Sequence, residues 1–336
     1  MNPGSAAQDI SARQQQPATV ELTAVVVAVT TEQPRTLVVR LPRGASASAP
    51  AARDALPSGP LQLHHRTLDA GLRAWVEEQT GARLGYVEQL YTFGDRNRTD
   101  PQSGRRVLSI GYLALARETG AEEQGDARWR NWYDYFPWED WRRGKPAILT
   151  PLRAALRRWS LAASDQAARR GRKQRIELAF GVDDGEWNDE RALERYELLY
   201  EVGLVIEAHR DGATSWARPE EVPAGGEQML ADHRRILATA IARLRGKIKY
   251  RPVVFELMPP TFTLLQLQRA VEALAGVRLH KQNFRRLVAQ QGLVEETGQI
   301  VTATGGRPAR EVRFRREVML EHPAPGLRLP IARDQD

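Results

Sequence analysis

Apolar and polar positions along the chain change period several times, and each change marks an element. Residues 19–30 (TVELTAVVVAVT) and 35–41 (RTLVVRL) are β-branched runs of strand length. Residues 43–59, rich in Ala, Ser and Pro, predict a loop. In residues 66–79 the apolar positions Leu68, Leu72, Trp75 and Val76 recur at helical spacing, and Gly81 supplies a stop. Strands are predicted around residues 86–93 and 106–116. Residues 121–145 turn from acidic to aromatic, with Trp129, Trp132, Tyr133, Tyr135, Phe136, Trp138 and Trp141, and read as a covering segment packed on the first domain. Helices are predicted over 152–168 and 190–202, a strand over 175–180, and a linker-like stretch at 219–226. A long helix over 229–245 carries Ile236, Leu237, Ala240, Ile241 and Leu244 on one face and would join two domains.

The pattern in the last third is the most specific. Thr263 has the residue type of a helix N-cap, and Gln266 stands three residues on, the spacing of a capping box. Leu264, Leu267, Val271 and Leu274 give that helix an apolar face, and Gly276 ends it. A second helix over 280–291 is ended by Gly292. Helix, tight turn and helix at this size is a helix-turn-helix. At about 100° per residue, Phe284, Leu287 and Val288 fall on the core side of the second helix. Gln282, Arg285, Arg286, Ala289 and Gln290 fall opposite, flanked by Lys281 and Asn283. Arg, Lys, Asn and Gln are the side chains that read base edges in a major groove. Short strands at 293–295, 300–302 and 311–314 follow, and the connection 303–310 (ATGGRPAR) holds a Gly305-Gly306 turn with Arg307 and Arg310 at its tip. A basic hairpin after a reading helix is the wing of a winged helix, suited to phosphate or minor-groove contact. The candidate DNA contacts are Thr263, Lys281, Gln282, Asn283, Arg285, Arg286, Gln290, Arg307 and Arg310.

Charge supports a polyanion partner for this part. The 336-residue chain carries a net +7, and residues 229–320 hold 17 Lys/Arg against 7 Asp/Glu, whereas residues 1–228 hold 30 against 32. Cysteine is absent, which excludes disulfides and thiolate metal sites. No run of about 18 apolar residues predicts a membrane span. Residues 1–17 are polar, lack the apolar core of a signal peptide, and read as a disordered tail of a cytoplasmic protein.

Residues 56–81 (LPSGPLQLHHRTLDAGLRAWVEEQTG) resemble a Nudix box, a loop–helix–loop whose carboxylates hold a divalent metal against a diphosphate. Counted back from Gly81, the acidic positions of the pattern carry Arg66, Trp75, Glu78 and Gln79, so only one remains a carboxylate. Residues 66–81, the strand pair at 86–95 and 109–115, His233, and residues 247–257 (KIKYRPVVFEL) resemble the Nudix-related transcriptional regulators of NAD metabolism, most closely the NadQ-type branch. The likeness covers most of residues 18–318. It implies an α+β chain: a Nudix-like mixed-sheet α/β/α domain followed by a winged helix-turn-helix domain. The boundaries are then a tail (1–17), an effector-sensing domain with an insertion (18–226), a linker helix with the DNA-binding domain (227–320), and a second tail (321–336).

The resemblance further implies a non-enzymatic repressor of NAD synthesis or salvage genes. Such a protein needs no cofactor or metal and responds to an NAD-related nucleotide such as ADP-ribose, NAD or ATP. It would act as a homodimer on a palindromic duplex operator. Arginines suit phosphates and an aspartate suits a ribose hydroxyl, which makes Arg40, Arg43, Asp95, Arg96, Arg98 and Arg106 the candidate ligand contacts. Two alternatives stay open on the residues alone: an active nucleoside-diphosphate hydrolase with an accessory basic domain, and a module that binds structured RNA.

Overall fold

The computed structural model describes residues 18–30, 32–41, 53–94, 98, 104–118, 125–181, 187–212, 216–223, 225–302, 308–321 and 326–327. The two tails therefore lie mostly outside the described residues.

The N-terminal half is built on a mixed sheet. Its strands are β1 (Thr19–Val29), β2 (Pro34–Leu41), β3 (Arg53–Ala55), β4 (Ser58–Pro60), β5 (Val87–Phe93), β6 (Val107–Leu115) and β7 (Ala127–Asn131). The order is β3-β2-β1-β6-β5, with β4 paired to β1 and β7 to β2. β1 and β6 run parallel, from Thr19 opposite Val107 to Val27 opposite Leu115, and the other pairs are antiparallel.

Side chains on a strand alternate between faces, and β1 buries both. Leu22, Ala24, Val26 and Ala28 join Tyr112 and Ala114 of β6 in one cluster, closed by Leu72 and Val76 of helix α1 (Leu68–Thr80). Val25 and Val27 join Leu113 and Leu115 on the opposite face, against Ile236, Leu237 and Ile241 of helix α6 (His233–Tyr250). A strand buried on both sides reads as a continuous apolar run, which is why residues 19–30 stand out in the sequence. Helix α1 starts where the Thr67 hydroxyl accepts from Ala70 N and stops at Gly81 in the left-handed region.

The segment between β7 and α6 packs onto the second face through helices α2 (Leu149–Leu161), α3 (Gln166–Phe180), α4 (Ala192–Val202) and α5 (Ile206–Arg210). The strand expected at 175–180 is helical. Ile176, Leu178 and Phe180 alternate like strand residues, but the stretch continues a run of straight-chain residues that Asp165 caps through Ala168 N and Gly181 ends. The helix expected over 152–168 starts earlier and breaks at residues 162–165 for that same cap. The aromatic segment is core: Trp132, Tyr135, Phe136 and Trp138 are wholly enclosed, and Trp129, Tyr133 and Trp141 nearly so. Two short 3-10 turns, Trp132–Asp134 and Pro137–Glu139, carry Trp132, Tyr133 and Trp138, and β7, a strand not expected from the sequence, carries Trp129. Likewise, the loop expected at 43–59 contains β3 and the start of β4.

The C-terminal unit has helices α7 (Leu264–Ala275) and α8 (Lys281–Gln290) and a sheet of β8 (Thr261–Thr263), β9 (Val294–Val301) and β10 (Ala309–Phe314) in the order β8-β10-β9. Strand β9 is continuous where the sequence suggested two short strands, and β8 was not foreseen. A four-residue helix α9 (Val318–Glu321) follows. Leu267, Val271, Phe284, Val288 and Leu293 belong to the same apolar cluster as the aromatic segment and α6, so one core runs from the sheet into this unit.

Candidate DNA interface and sensing surface

Helix α7 begins with a complete capping box. Thr263 Oγ1 accepts from Gln266 N at 3.2 Å, and Thr263 N donates to Gln266 Oε1 at 2.7 Å. Each bond satisfies a backbone or side-chain group that a helix start leaves open. Thr263 is only 2% exposed, so its hydroxyl is held by the helix and is not presented to a ligand. The side chain expected from the sequence to touch DNA is enclosed instead, because the helix start uses its hydroxyl.

Gly276 ends α7 at φ 75°, a backbone conformation that glycine adopts without strain. The chain then turns into α8, which buries Phe284 and Val288 and half-buries Leu287. Lys281, Gln282, Asn283, Arg285, Arg286, Ala289 and Gln290 are all exposed, as the helical wheel predicted. Among the described residues, no hydrogen bond or ion pair engages the side chains of Lys281, Gln282, Asn283, Arg285, Arg286 or Gln290. Six donor-rich side chains thus stand on one face of a helix, aligned by a core on the other.

The wing differs. Strands β9 and β10 form its arms, from Val294 opposite Phe314 to Val301 opposite Ala309. Arg310 Nη1 meets Glu296 Oε1 at 2.7 Å, and Arg313 Nε meets Glu295 Oε1 at 2.7 Å, while the Thr297 hydroxyl donates to Glu311 Oε2 at 2.9 Å. Hydrogen bonding to Glu296 raises the Arg310 guanidinium above its usual range. Arg307 lies outside the described residues. The acidic partners were legible as charges in 294–296 but not as cross-strand neighbours, because the register of β9 against β10 was not fixed by the sequence.

The Nudix-like box is built differently from a metal site. Trp75 packs on Gly59, where a Cβ would come within 2.3 Å of the indole, and its Nε1 donates to Pro60 O at 2.9 Å. Gln79 brackets Ser58 of β4 with two bonds, Nε2 to Ser58 O at 2.7 Å and Ser58 N to Oε1 at 3.1 Å. Two side chains at acidic positions of the pattern thus tie α1 to β4. Glu77 faces solvent beside Arg83 at 3.3 Å, and Glu78 is also exposed. Among the described residues no three His, Cys, Asp or Glu side chains gather as metal ligands. An indole and an amide turned to backbone carbonyls do not fit the hard oxygen cage that a divalent cation requires.

Of the candidate ligand contacts, Arg43, Asp95 and Arg96 lie outside the described residues. Arg40 is exposed on β2 and Arg106 is exposed at the start of β6, with β1 between those strands. The Arg106 guanidinium bonds Gly94 O. Arg98 is 8% exposed and ion-paired with Glu21 at 3.3 Å and with Asp232 at 3.2 Å. It fastens the loop before β6 to β1 and to the residue preceding α6, an arrangement that occupies it structurally. Among the described candidates, Arg40 stands on β2, Arg106 stands beside β6, and Arg98 is held by its own ion pairs.

Polar groups also secure α6 against the sheet. His233 Nδ1 accepts from Leu56 N at 2.9 Å, and burial, with Arg98 and Arg210 adding to it, pushes the imidazole down to about 3. Lys247 bonds Tyr86 Oη at 2.6 Å and pairs with Glu88 of β5.

The architecture is a Nudix-like domain joined to a C-terminal winged helix. Residues 254–314 match the family model of the NrtR DNA-binding winged helix domain. A stretch of 83 residues is 46% identical to the ADPR responsive transcriptional repressor NtrR of Acinetobacter baylyi, covering 25% of this chain and 33% of that protein. The match thus spans about a third of that relative's length. Among solved structures, NrtR of Shewanella oneidensis complexed with a 27mer DNA aligns at a TM-score of 0.52 and 18% identity, over 89% of this chain and 94% of the other. A MutT/nudix family protein from Enterococcus faecalis aligns at 0.51 and 15% identity, over 94% and 95%. At these identities both structures establish the shared fold. No helix among the described residues is long and apolar enough to cross a membrane.

Proposed function

We propose that this chain is a DNA-binding transcriptional repressor whose Nudix-like domain senses an NAD-related nucleotide, with ADP-ribose the first candidate. The observation that carries the reading is the uncommitted polar face of α8, set in a winged helix that matches the NrtR DNA-binding model. Residues 18–226 would form the sensing unit and 227–320 the reading unit. A homodimer would place two copies of α8 on a palindromic operator. Lys281, Gln282, Asn283, Arg285, Arg286 and Gln290 would face base edges or their flanking phosphates, and Arg307 and Arg310 the backbone beside them.

Sensing demands that the nucleotide bind the DNA-competent and incompetent states with different affinity. The relative from Acinetobacter baylyi is described as responsive to ADPR, which supports that nucleotide as effector. The test is a fluorescence-anisotropy titration of duplex DNA from upstream of the gene itself or of NAD-pathway genes. ADP-ribose should shift the midpoint, whereas midpoints with ADP-ribose, NAD and ATP that all equal the nucleotide-free midpoint would refute the sensing part.

We further propose that the Nudix-like domain does not hydrolyse its ligand by metal-assisted chemistry. Trp75 and Gln79, turned to the backbone of β4, support this. Incubation with ADP-ribose and Mg²⁺ should give no turnover. Turnover that Glu78→Gln abolishes would overturn it.

A further inference from the structure

The last carbonyls of an α-helix have no partner within the helix and must find one elsewhere. At the end of α7 those partners come from the aromatic segment of the sensing unit and from the linker helix α6. Tyr133 Oη donates to Ala273 O at 2.7 Å, Arg245 Nε donates to Leu274 O at 2.9 Å, and Trp141 N donates to Gly276 O at 2.7 Å. Two of the three donors lie in the aromatic segment and the third on α6. Gly276 fits only because it lacks a side chain: a Cβ there would come within 2.3 Å of Glu139 O and 2.8 Å of Tyr133 Oη.

These donors are themselves fixed. Glu139 is fully enclosed between Arg195, at 2.5 and 2.8 Å, and Arg245, at 2.5 Å. Burial alone would raise the Glu139 carboxyl, but the two guanidiniums outweigh it and hold it below its usual range. Arg142 lies 5.2 Å over the Tyr133 ring, and Arg278, in the turn before α8, donates to Arg142 O at 3.3 Å. The turn that aims α8 therefore rests on residues 133–142 and Arg245.

We infer that Tyr133, Glu139 and Arg245 are positioning residues for DNA reading, which set the aim of α8 through the carbonyls of residues 273–276 and transmit changes in the sensing unit to it. This rests on the proposed function and adds the route by which one unit acts on the other. In the sequence Glu139 is one of two adjacent acids, with Asp140, set between Trp138 and Trp141, where an enclosed charge needs a partner.

The test uses the full chain and the variant Tyr133→Phe, which removes one hydroxyl and keeps the ring. If the inference holds, the melting temperature falls by only a few degrees, the cost of one unpaired buried carbonyl, and the variant stays folded at the assay temperature. Affinity for the operator falls at least fivefold, and affinity for unrelated duplex and the salt dependence of binding stay unchanged, because no phosphate contact is lost. The shift produced by ADP-ribose shrinks as well. An unchanged operator affinity together with an unchanged ADP-ribose shift would overturn it, as would an equal loss on all sequences.

If the variant does not fold, amide exchange on the parent protein decides. ADP-ribose should change protection at residues 273–280 and 138–142 together, and a change in α8 without one at the junction would refute the route. A parent protein that binds no duplex at all would instead refute the proposed function, and the inference with it. A parent that binds and responds while Tyr133→Phe behaves identically would refute only the route.

Discussion

Helices α1 and α8 are amphipathic elements of similar length, and their polar faces are used in opposite ways. On α1, Trp75 and Gln79 point back to β4 and bond its backbone, so two side chains at acidic positions of the Nudix pattern hold the helix in place. On α8, Lys281, Gln282, Asn283, Arg285, Arg286 and Gln290 point outward, and the described structure does not engage them. A side chain consumed by its own fold cannot also hold a metal or read a base. The comparison assigns structure to the first set and recognition to the second.

That assignment can be broken at several points. Trp75→Ala removes a half-buried indole and its bond to Pro60 O, and should cost about 2 kcal/mol of stability. Denaturant unfolding would measure it, and a variant as stable as the parent would mean that Trp75 is not holding α1. The same polar commitment makes the sheet sensitive to acid. His233 accepts from Leu56 N only while neutral, and its folded value of about 3 lies below the unfolded value of about 6.5. The unfolded chain then binds the extra proton between those values, so stability is full above pH 6.5. Below that it falls by up to about 1.4 kcal/mol per pH unit. Unfolding curves at pH 7.5 and 5.0 would show the loss, and His233→Gln should flatten it.

The wing falls between the two helices, because Arg310 and Arg313 are exposed but each has an acidic partner. Exposed pairs contribute about 0–1 kcal/mol, so a nearby phosphate can compete for these arginines. Glu296→Gln should free Arg310 and remove a repelling charge, tightening binding to any duplex by about threefold and steepening its salt dependence. Weaker binding would mean that Glu296 orders the wing for contact.

Much of this was legible in the sequence where local chemistry decides. Thr263 with Gln266, Gly81, Gly276 and the wheel of α8 each carry their reason within a few residues, and the structure follows them. The double-sided burial of β1 was legible as an apolar run. What was not legible depends on distant partners. Residues 175–180 alternate like a strand, but the cap at Asp165 and the stop at Gly181 settle them as helix. Thr263 has the residue type of a DNA contact, yet the fold encloses it. Arg98 has the residue type of a phosphate ligand, yet Glu21 and Asp232 occupy it from 77 and 134 residues away. The contacts that hold the end of α7 come from Tyr133 and Arg245, and no spacing in the chain announces them.

The most direct measurement compares the parent chain with Arg286→Ala on an operator duplex and on a scrambled duplex at one salt concentration. If α8 reads bases, Arg286→Ala loses about 1–3 kcal/mol on the operator and much less on the scrambled duplex, so the ratio of the two affinities collapses. An unchanged ratio would contradict the assignment of α8 as the reading helix.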